Sequence, residues 1–302
     1  MTIKGFTRSK HNALAIAALA AIAAAVPAQA EPIVGLTTTN ALLTFDSAAP
    51  SNGSALANIT GLQVLNERIL DIDRRPTTGV IYGVSSEDRV YSLTTAGVAS
   101  FIGMVSTPLA SDVIGIDFNP VADLAGAASL RIVSSTGQNF AFNVANGTTT
   151  VQTPIQANFS SLAYANNDTD PNTATSLYYI DMSADVLKVA TSAFNAPTIT
   201  TIGALGFDVS GVNGFEISGS GASFASLTDR DTGKSGLYTV NLGTGAATLV
   251  GAFGIGGNTA IAPPLRGLTV ATVAAIPEPQ TYALMLAGLA AVGCIARRRS
   301  KR

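Results

Sequence analysis

Between residues 31 and 275, apolar side chains occur in short runs, and residues such as Gly, Asn, Asp and Pro lie between the runs. Within the runs apolar and polar positions alternate, and no stretch of useful length has apolar residues at helical spacing. A period of two places one face of a strand against a core and the other face in solvent. The pattern therefore predicts a series of short antiparallel strands joined by tight turns.

One strand motif recurs five times along this segment. Its central apolar residues lie 44, 46, 53 and 53 residues apart, at Ile72, Ile116, Leu162, Phe215 and Leu268. Further strand-like runs follow each of the first four copies. This spacing is the length of a four-stranded blade of a β-propeller.

The last copy of the motif has no strand-like runs after it, whereas unassigned strands at residues 32–36 and 41–45, with residues 55–61 as a third, precede the first copy. Pairing of these strands with the last motif would close the ring and protect its edges. The predicted fold is all-β: a five-bladed β-propeller-like ectodomain in which N- and C-terminal strands share the last blade. An N-terminal signal helix and a C-terminal transmembrane helix flank it, and an open pair of β-sandwiches is the alternative.

Residues 1–30 have the layout of a secretory signal peptide. Three basic residues precede an apolar run over residues 13–26, and Ala28 and Ala30 fit the small-x-small rule for signal peptidase. Export by a Sec-type machinery and a mature chain beginning at Glu31 follow from this layout. An uncleaved anchor is the alternative, although the run is short for crossing a bilayer.

The segment 276–302 combines a proline pair, an uncharged apolar run and a basic end. A helix over residues 280–296 would rise about 1.5 Å per residue and just cross a bilayer core of about 30 Å. Basic residues stay on the cytoplasmic side, so the ectodomain, residues 31–275, would face outward. The residues that define the segment are Pro277, Glu278, Pro279, Arg297, Arg298 and Arg299.

This tripartite tail resembles the PEP-CTERM sorting signal. The resemblance implies export by a Gram-negative bacterium that makes exopolysaccharide, and processing near Pro-Glu-Pro by a membrane cysteine protease, an exosortase. The protein would be anchored transiently in the inner membrane and then reach the cell surface or the extracellular matrix. Two prolines would hold the processed segment extended for the protease. A plain single-span anchor with a proline-rich stem is the alternative.

The ectodomain is similar over nearly all its length to the family of domain of unknown function 4394. The similarity implies a secreted propeller-like domain and brings no catalytic residues. It rests on residues 33–37, 71–76, 130–133, 236–240 and 266–269.

Charge and residue usage exclude several functions. Residues 31–279 contain all 19 acidic residues but only nine Lys and Arg, a net charge of −10 that repels nucleic acid. The single cysteine, Cys294, and the single histidine, His11, both lie outside the ectodomain. It therefore has no thiol nucleophile, disulfide, Cys/His zinc site or histidine-dependent triad.

Two loops place oxygen-bearing side chains at alternate positions, as calcium loops do. Neither has the glycine and glutamate positions of an EF-hand, and Asp and Asn are also ordinary turn formers. Calcium is the one cofactor left open, with no other metal predicted. The candidate ligands are Asp168, Asp170, Asn172, Asp229 and Asp231.

Aspartates also recur on the innermost-strand motifs, at Asp71, Asp73 and Asp117. They could surround the propeller mouth and bind a cation or polar ligand, or they could accept hydrogen bonds from neighbouring backbone. Three arginines, Arg74, Arg75 and Arg131, lie among acidic residues, and we expect salt bridges there.

The predicted function is that of a noncatalytic cell-envelope or biofilm-matrix protein, sorted by an exosortase, that binds exopolysaccharide or surface proteins. The alternative is a secreted hydrolase that uses paired carboxylates on extracellular glycans. Without tryptophan, sugar stacking depends on tyrosine rings. Those in the ectodomain are Tyr82, Tyr91, Tyr164, Tyr178, Tyr179 and Tyr238.

Overall fold

The computed structural model describes residues 30–168, 170, 172–257 and 260–271. Nearly all regular structure in these residues is β-strand, and the strands form antiparallel four-stranded sheets. The sheets are the blades of a propeller, five of them within the described residues. The prediction of an all-β, five-bladed propeller is confirmed, and the β-sandwich alternative is wrong.

The chain begins with three strands that belong to the last blade, β1 (Pro32–Thr37), β2 (Ala41–Asp46) and β3 (Ala57–Asn58), with a 3-10 turn at Pro50–Asn52. Blade 1 contains β4 (Ile69–Arg74), β5 (Ile81–Ser85), β6 (Arg89–Leu93) and β7 (Ala99–Met104). Blade 2 contains β8 (Ile114–Phe118), the short helix α1 (Pro120–Leu124), β9 (Ser129–Ser134), β10 (Asn139–Asn143) and β11 (Thr148–Val151).

Blade 3 contains β12 (Phe159–Tyr164), β13 (Leu177–Asp181), β14 (Val186–Ala190) and β15 (Thr200–Ala204). Blade 4 contains β16 (Gly214–Ile217), β17 (Ser223–Thr228), β18 (Ser235–Val240) and β19 (Ala247–Ala252). A two-stranded ribbon, β20 (Gly254–Ile255) with β21 (Ala260–Ile261), leads to the final strand, β22 (Leu265–Val270).

Blade 5 joins the two ends of the domain. Its strand order is β22-β1-β2-β3, so the last strand is innermost and pairs antiparallel with the first. Val34 lies opposite Thr269, and Ile33 lies opposite Val270. This shared blade closes the ring without a covalent link, as the unassigned N-terminal strands predicted.

The innermost strands are buried on both faces. Strands β4, β8, β12 and β16 are buried along their whole length, whereas the outermost strands β7, β11, β15 and β19 are mostly exposed or half-buried. Buried and exposed residues therefore do not alternate along the innermost strands, because each of these strands packs against its neighbours around the ring. A Cβ at Gly214 would lie only 2.6 Å from Gly267 Cα, so the backbones there approach too closely for a side chain.

The core is divided among the interfaces between blades. Among the described residues, five apolar clusters each join two neighbouring blades. Blades 1 and 2, for example, meet through Tyr82 and Phe118, whose ring centroids are 5.2 Å apart. Burial between blades fixes the inner strands around the axis and so positions the polar groups that they carry.

Several predictions fall outside the described residues. They are the signal helix, with Ala28, and the transmembrane helix over residues 280–296, with Pro277, Glu278, Pro279, Arg297, Arg298 and Arg299. Ala30 is the first described residue and is exposed. Across the described part of the chain, no helix is both long and apolar enough to cross a bilayer.

Candidate axial carboxylate site

The innermost strands bring three carboxylates together. Asp73 on β4, Asp117 on β8 and Glu216 on β16 are each about 1% exposed, and one oxygen from each lies within 4.8 Å of the others. Each directly follows the central apolar residue of its strand motif. Ala163 on β12 and Thr269 on β22 occupy the same position in the remaining two blades. We call Asp73, Asp117 and Glu216 the axial carboxylates.

Two of the axial carboxylates also join neighbouring blades. Asp73 Oδ2 accepts a hydrogen bond from the Phe118 N–H at 2.8 Å, and Asp117 Oδ2 accepts one from the Tyr164 N–H at 3.0 Å. Of the two interpretations of these aspartates from the sequence, the backbone hydrogen bonds are therefore present, and binding of a cation or polar ligand stays a prediction.

Asp71 has only the first of these roles. It accepts from the Ile116 N–H at 2.9 Å and from the Ile72 N–H at 2.8 Å. Burial raises its pKa well above the ordinary value, although both N–H donors lower it. Asp71 is not a member of the three-carboxylate group, and it makes the backbone hydrogen bonds that one of the two interpretations from the sequence predicted.

Glu216 is the member that sequence reasoning missed. Thr269 Oγ1 lies 3.0 Å from Glu216 Oε2, and Asn167 Nδ2 donates to Glu216 Oε1 at 3.3 Å. The alignment contained the necessary signal, because Glu216 follows Phe215 as Asp73 follows Ile72. Asn167 had no such signal, since it lies in an irregular loop after β12.

The environment of the axial carboxylates disfavours three negative charges. Burial raises the pKa of Asp117 well above its ordinary value, and the charges of Asp73 and Glu216 raise it further. Burial also raises the pKa of Asp73 and Glu216, and the nearby Arg74 guanidinium only partly opposes this. The cluster must therefore hold protons or a cation when the surrounding solution is neutral.

Two buried oxygen atoms at the cluster have no hydrogen-bond partner among the described residues. One is Asp117 Oδ1, on a side chain that is about 1% exposed. The other is Asn167 Oδ1, whose side-chain nitrogen is already bonded to Glu216 and whose residue is 8% exposed. Buried polar atoms are normally paired, so both oxygens are able to accept a further ligand.

The carboxylates of the two candidate calcium loops accept hydrogen bonds within local turns, and calcium binding there stays a prediction. Asp168 Oδ1 accepts from the Asp170 N–H at 2.8 Å, and Asp170 Oδ1 accepts from the Asn172 N–H at 2.9 Å. In the second loop, which includes the exposed Asp231, Asp229 Oδ1 accepts from the Thr232 N–H at 2.7 Å. Within the described residues, the axial carboxylates are the one acidic group dense enough to surround an ion.

The expected salt bridges form for one arginine of three. Arg75 pairs with Asp123 at 2.6 Å. Arg74 Nε instead donates to the Val270 carbonyl at 2.7 Å. The guanidinium of Arg131 donates to three neutral oxygens, those of Asn139, Asn195 and Tyr164. Within the described residues neither Arg74 nor Arg131 forms a salt bridge, so that expectation is wrong for both. Neutral oxygens surround the Arg131 guanidinium, whereas Arg74 lowers the pKa of Asp73 and Glu216 without pairing with either.

A separate cavity of about 480 Å³ lies between blades 2 and 3. Arg131 lies at its wall, and the half-buried ring of Phe194 lies beside the exposed Asn195. Polar groups around an aromatic face are a common arrangement in ligand pockets. Its other polar lining residues are Asn119, Ser129 and Gln152.

Two family models match the chain. The model described as Domain of unknown function (DUF4394) matches residues 41–262, and the model described as PEP-CTERM protein-sorting motif matches residues 275–301. No curated protein matches. Both resemblances proposed from the sequence are confirmed.

Solved structures resemble the chain at low identity. One is a structural-genomics protein of unknown function from Bacteroides thetaiotaomicron, 13% identical, covering 80% of this chain and 67% of its own, with a TM-score of 0.46. Another is a protein from Lactobacillus plantarum, 12% identical, covering 80% of this chain and 99% of its own, with a TM-score of 0.40.

Proposed function

We propose, for a chain that belongs to the DUF4394 family, the role of a noncatalytic protein of the cell envelope or exopolysaccharide matrix. The observation that carries this proposal is the PEP-CTERM match at residues 275–301, which directly follows the closed ring. Such a tail indicates export and sorting by an exosortase in a Gram-negative bacterium. The proposal includes export by a Sec-type machinery, cleavage by signal peptidase, and release to the cell surface or matrix.

Burial of the axial carboxylates supports a noncatalytic role. A glycoside hydrolase needs two carboxyl groups about 5–9.5 Å apart on either side of a substrate bond. Asp73, Asp117 and Glu216 are instead about 1% exposed and lie within 4.8 Å of one another. A sugar ring has no room between them, so the hydrolase alternative loses its best carboxylate group.

The tyrosines do not supply sugar-stacking surfaces. Tyr82, Tyr91, Tyr164 and Tyr179 are buried, while Tyr178 and Tyr238 are half-buried against a core cluster. Phe194 is likewise half-buried against a core cluster, and its ring contacts that of Tyr164. We therefore propose the cavity between blades 2 and 3 as the polysaccharide-binding surface through its polar lining residues, such as the exposed Asn195.

A protein partner is the second candidate, because the outermost strands carry exposed apolar side chains. Phe101 and Met104 on β7 are 43% and 49% exposed, and Leu249 on β19 is 58% exposed. Exposed apolar side chains near unpaired strand edges favour contact with another protein.

The sorting step is tested by replacing Pro277, Glu278 and Pro279 with alanine in the host. The variant is expected to keep its tail and remain in the membrane fraction, whereas the matched control Thr281→Ala is processed normally. Normal release of the triple variant would overturn exosortase processing at this motif.

The binding step is tested with residues 31–275 and the host's own exopolysaccharide, while polymer length is monitored. Saturable binding without shortening is expected, and Asn195→Ala should weaken it about tenfold, a loss of about 1.4 kcal/mol. Thr248→Ala on the exposed β19 is the control. Polymer shortening would support the hydrolase, and absence of binding would favour protein partners.

A further inference from the structure

We propose that Asp73, Asp117 and Glu216 bind one calcium ion on the propeller axis, with the Asn167 side-chain oxygen as a fourth ligand. Its carboxylates are not those of the predicted surface loops at Asp168 and Asp229, although Asn167 directly precedes Asp168 in the first of these loops. It is also independent of the proposed function, because a matrix protein and a hydrolase could both contain a structural ion.

The spacing of the carboxylates fits an ion of this size. Calcium binds oxygen at about 2.3–2.6 Å, so two ligands on opposite sides of one ion lie up to about 5.2 Å apart. The three axial oxygens lie within 4.8 Å of one another. One ion could therefore contact all three while the inner strands keep their positions.

The unpartnered oxygens are a second observation that points to a ligand. Asp117 Oδ1 and Asn167 Oδ1 are both buried, and neither has a donor in the part of the chain that the structure describes. Asn167 comes from a loop of blade 3 and not from the acidic strands, and its amide is held at the cluster by the bond to Glu216. A cation would give both oxygens a partner.

Charge also favours a divalent cation. Arg74 is the one guanidinium whose charge acts on both Asp73 and Glu216, and its Nη1 atom has no partner. Three ionised carboxylates and one arginine leave two negative charges, which one calcium ion neutralises. The donors are all oxygen, which suits calcium rather than zinc, and magnesium prefers shorter bonds of about 2.0–2.1 Å in a stricter octahedron.

Such an ion would connect four blades. Asp73, Asp117 and Glu216 belong to blades 1, 2 and 4, and Asn167 belongs to blade 3. Thr269 of blade 5 lies against two of these ligands. The ion would therefore stabilise the closed ring against opening.

The test measures metal content and thermal unfolding of the full-length chain in mild detergent. The chain is unfolded with chelator and refolded at neutral pH with calcium, with magnesium or with neither. We expect one calcium per chain and a higher Tm with calcium than with magnesium or no metal. Asp117→Asn and Glu216→Gln should each weaken calcium uptake at least 100-fold.

Matched controls are Asp229→Asn and Asp231→Asn, which remove carboxylates from the second surface loop and should leave uptake unchanged. The proposal is overturned if the wild-type chain takes up no calcium, because protons alone would then neutralise the cluster. It is also overturned if magnesium is taken up in preference, or if a surface-loop variant abolishes uptake that Asp117→Asn preserves. The wild-type measurement decides the matter even if an axial variant does not fold.

Discussion

The hydroxyl of Thr269 lies 3.1 Å from the Asp73 carboxylate, although 196 residues separate them in the chain. The same hydroxyl accepts from the Arg74 N–H at 3.2 Å and lies 3.0 Å from Glu216. A hydroxyl has a single hydrogen to donate, so it can serve only one of the two carboxylates at a time. One threonine of the closing blade thus ties that blade to both of its neighbours at the axis.

Replacement of this threonine is therefore expected to loosen ring closure. Thr269→Val keeps the shape but removes the hydroxyl, which leaves buried groups unpaired and lowers the free energy of unfolding by about 1–3 kcal/mol. Urea denaturation measures the loss. Thr248→Val on the exposed strand β19 is the control and should change stability by less than about 0.5 kcal/mol. Equal effects of the two substitutions would contradict the special position of Thr269.

A methyl group at the axis should be costly for a steric reason. Gly214→Ala would place Cβ 2.6 Å from the backbone of Gly267, and neither inner strand can move away without disturbing the ring. We expect a loss of at least about 1–3 kcal/mol in the free energy of unfolding. Gly243→Ala is the control, because its Cβ would meet only the Asn241 side chain, at 3.4 Å. A stable Gly214→Ala protein would show that the inner strands are less tightly packed than described.

The stability of the calcium-free protein should decrease as the pH rises. Burial raises the pKa of Asp73, Asp117 and Glu216, so the folded chain holds protons that the unfolded chain has released. These carboxyl groups add their full share to the free energy of unfolding below about pH 4, which is their pKa in the unfolded chain. That share is lost as the pH rises through the raised pKa values of the folded chain.

Calcium-free protein should therefore have a lower Tm at about pH 8 than at about pH 5. Asp117→Asn should reduce this dependence, since an amide does not titrate. Asp71 and Arg74 are further charged groups beside the cluster, Arg266 acts on Asp71, and the comparison of variant with wild type keeps all three constant. A pH dependence that is the same in both proteins would contradict the assignment to Asp117.

Two tyrosines, one on the third strand of blade 1 and one on the second strand of blade 3, should differ in their contribution to stability. Tyr91 is fully buried, and its hydroxyl donates to Glu67 at 2.9 Å and accepts from the Gln63 N–H at 3.2 Å. Tyr91→Phe removes a donor from a buried carboxylate and should cost about 1.5–3 kcal/mol by urea denaturation. Tyr178→Phe is the control, because Tyr178 is only half-buried, and it should change little. A larger loss for Tyr178→Phe would reverse this ranking.

The repeat of the inner-strand motif was sufficient to predict the five blades and their closure. Ile72, Ile116, Leu162, Phe215 and Leu268 all lie on innermost strands, because burial between blades demands an apolar residue there. Smaller elements escaped prediction, such as the ribbon of β20 and β21, since two-residue strands carry no periodicity. The third N-terminal strand was expected over residues 55–61 but pairs only at Ala57–Asn58.

The axial site was harder to predict than the fold. Asp73 and Asp117 could be recognised as a recurring pair, whereas Glu216 differs in residue type, and Ala163 and Thr269 interrupt the pattern. Asn167 reaches the cluster only through the course of its loop. Which polar side chains meet depends on ring closure between residues far apart in sequence, and local patterns do not contain that information.

The shared blade also fixes where the domain is attached to the rest of the chain. The Ala271 N–H donates to the Pro32 carbonyl at 2.8 Å, so the domain's entry and exit points are adjacent. A segment attached at the N-terminal or at the C-terminal end of the domain would therefore hold the ring at the same place, on blade 5. The same outer rim would stay free for contact whether the leader, the tail or both were still attached during delivery.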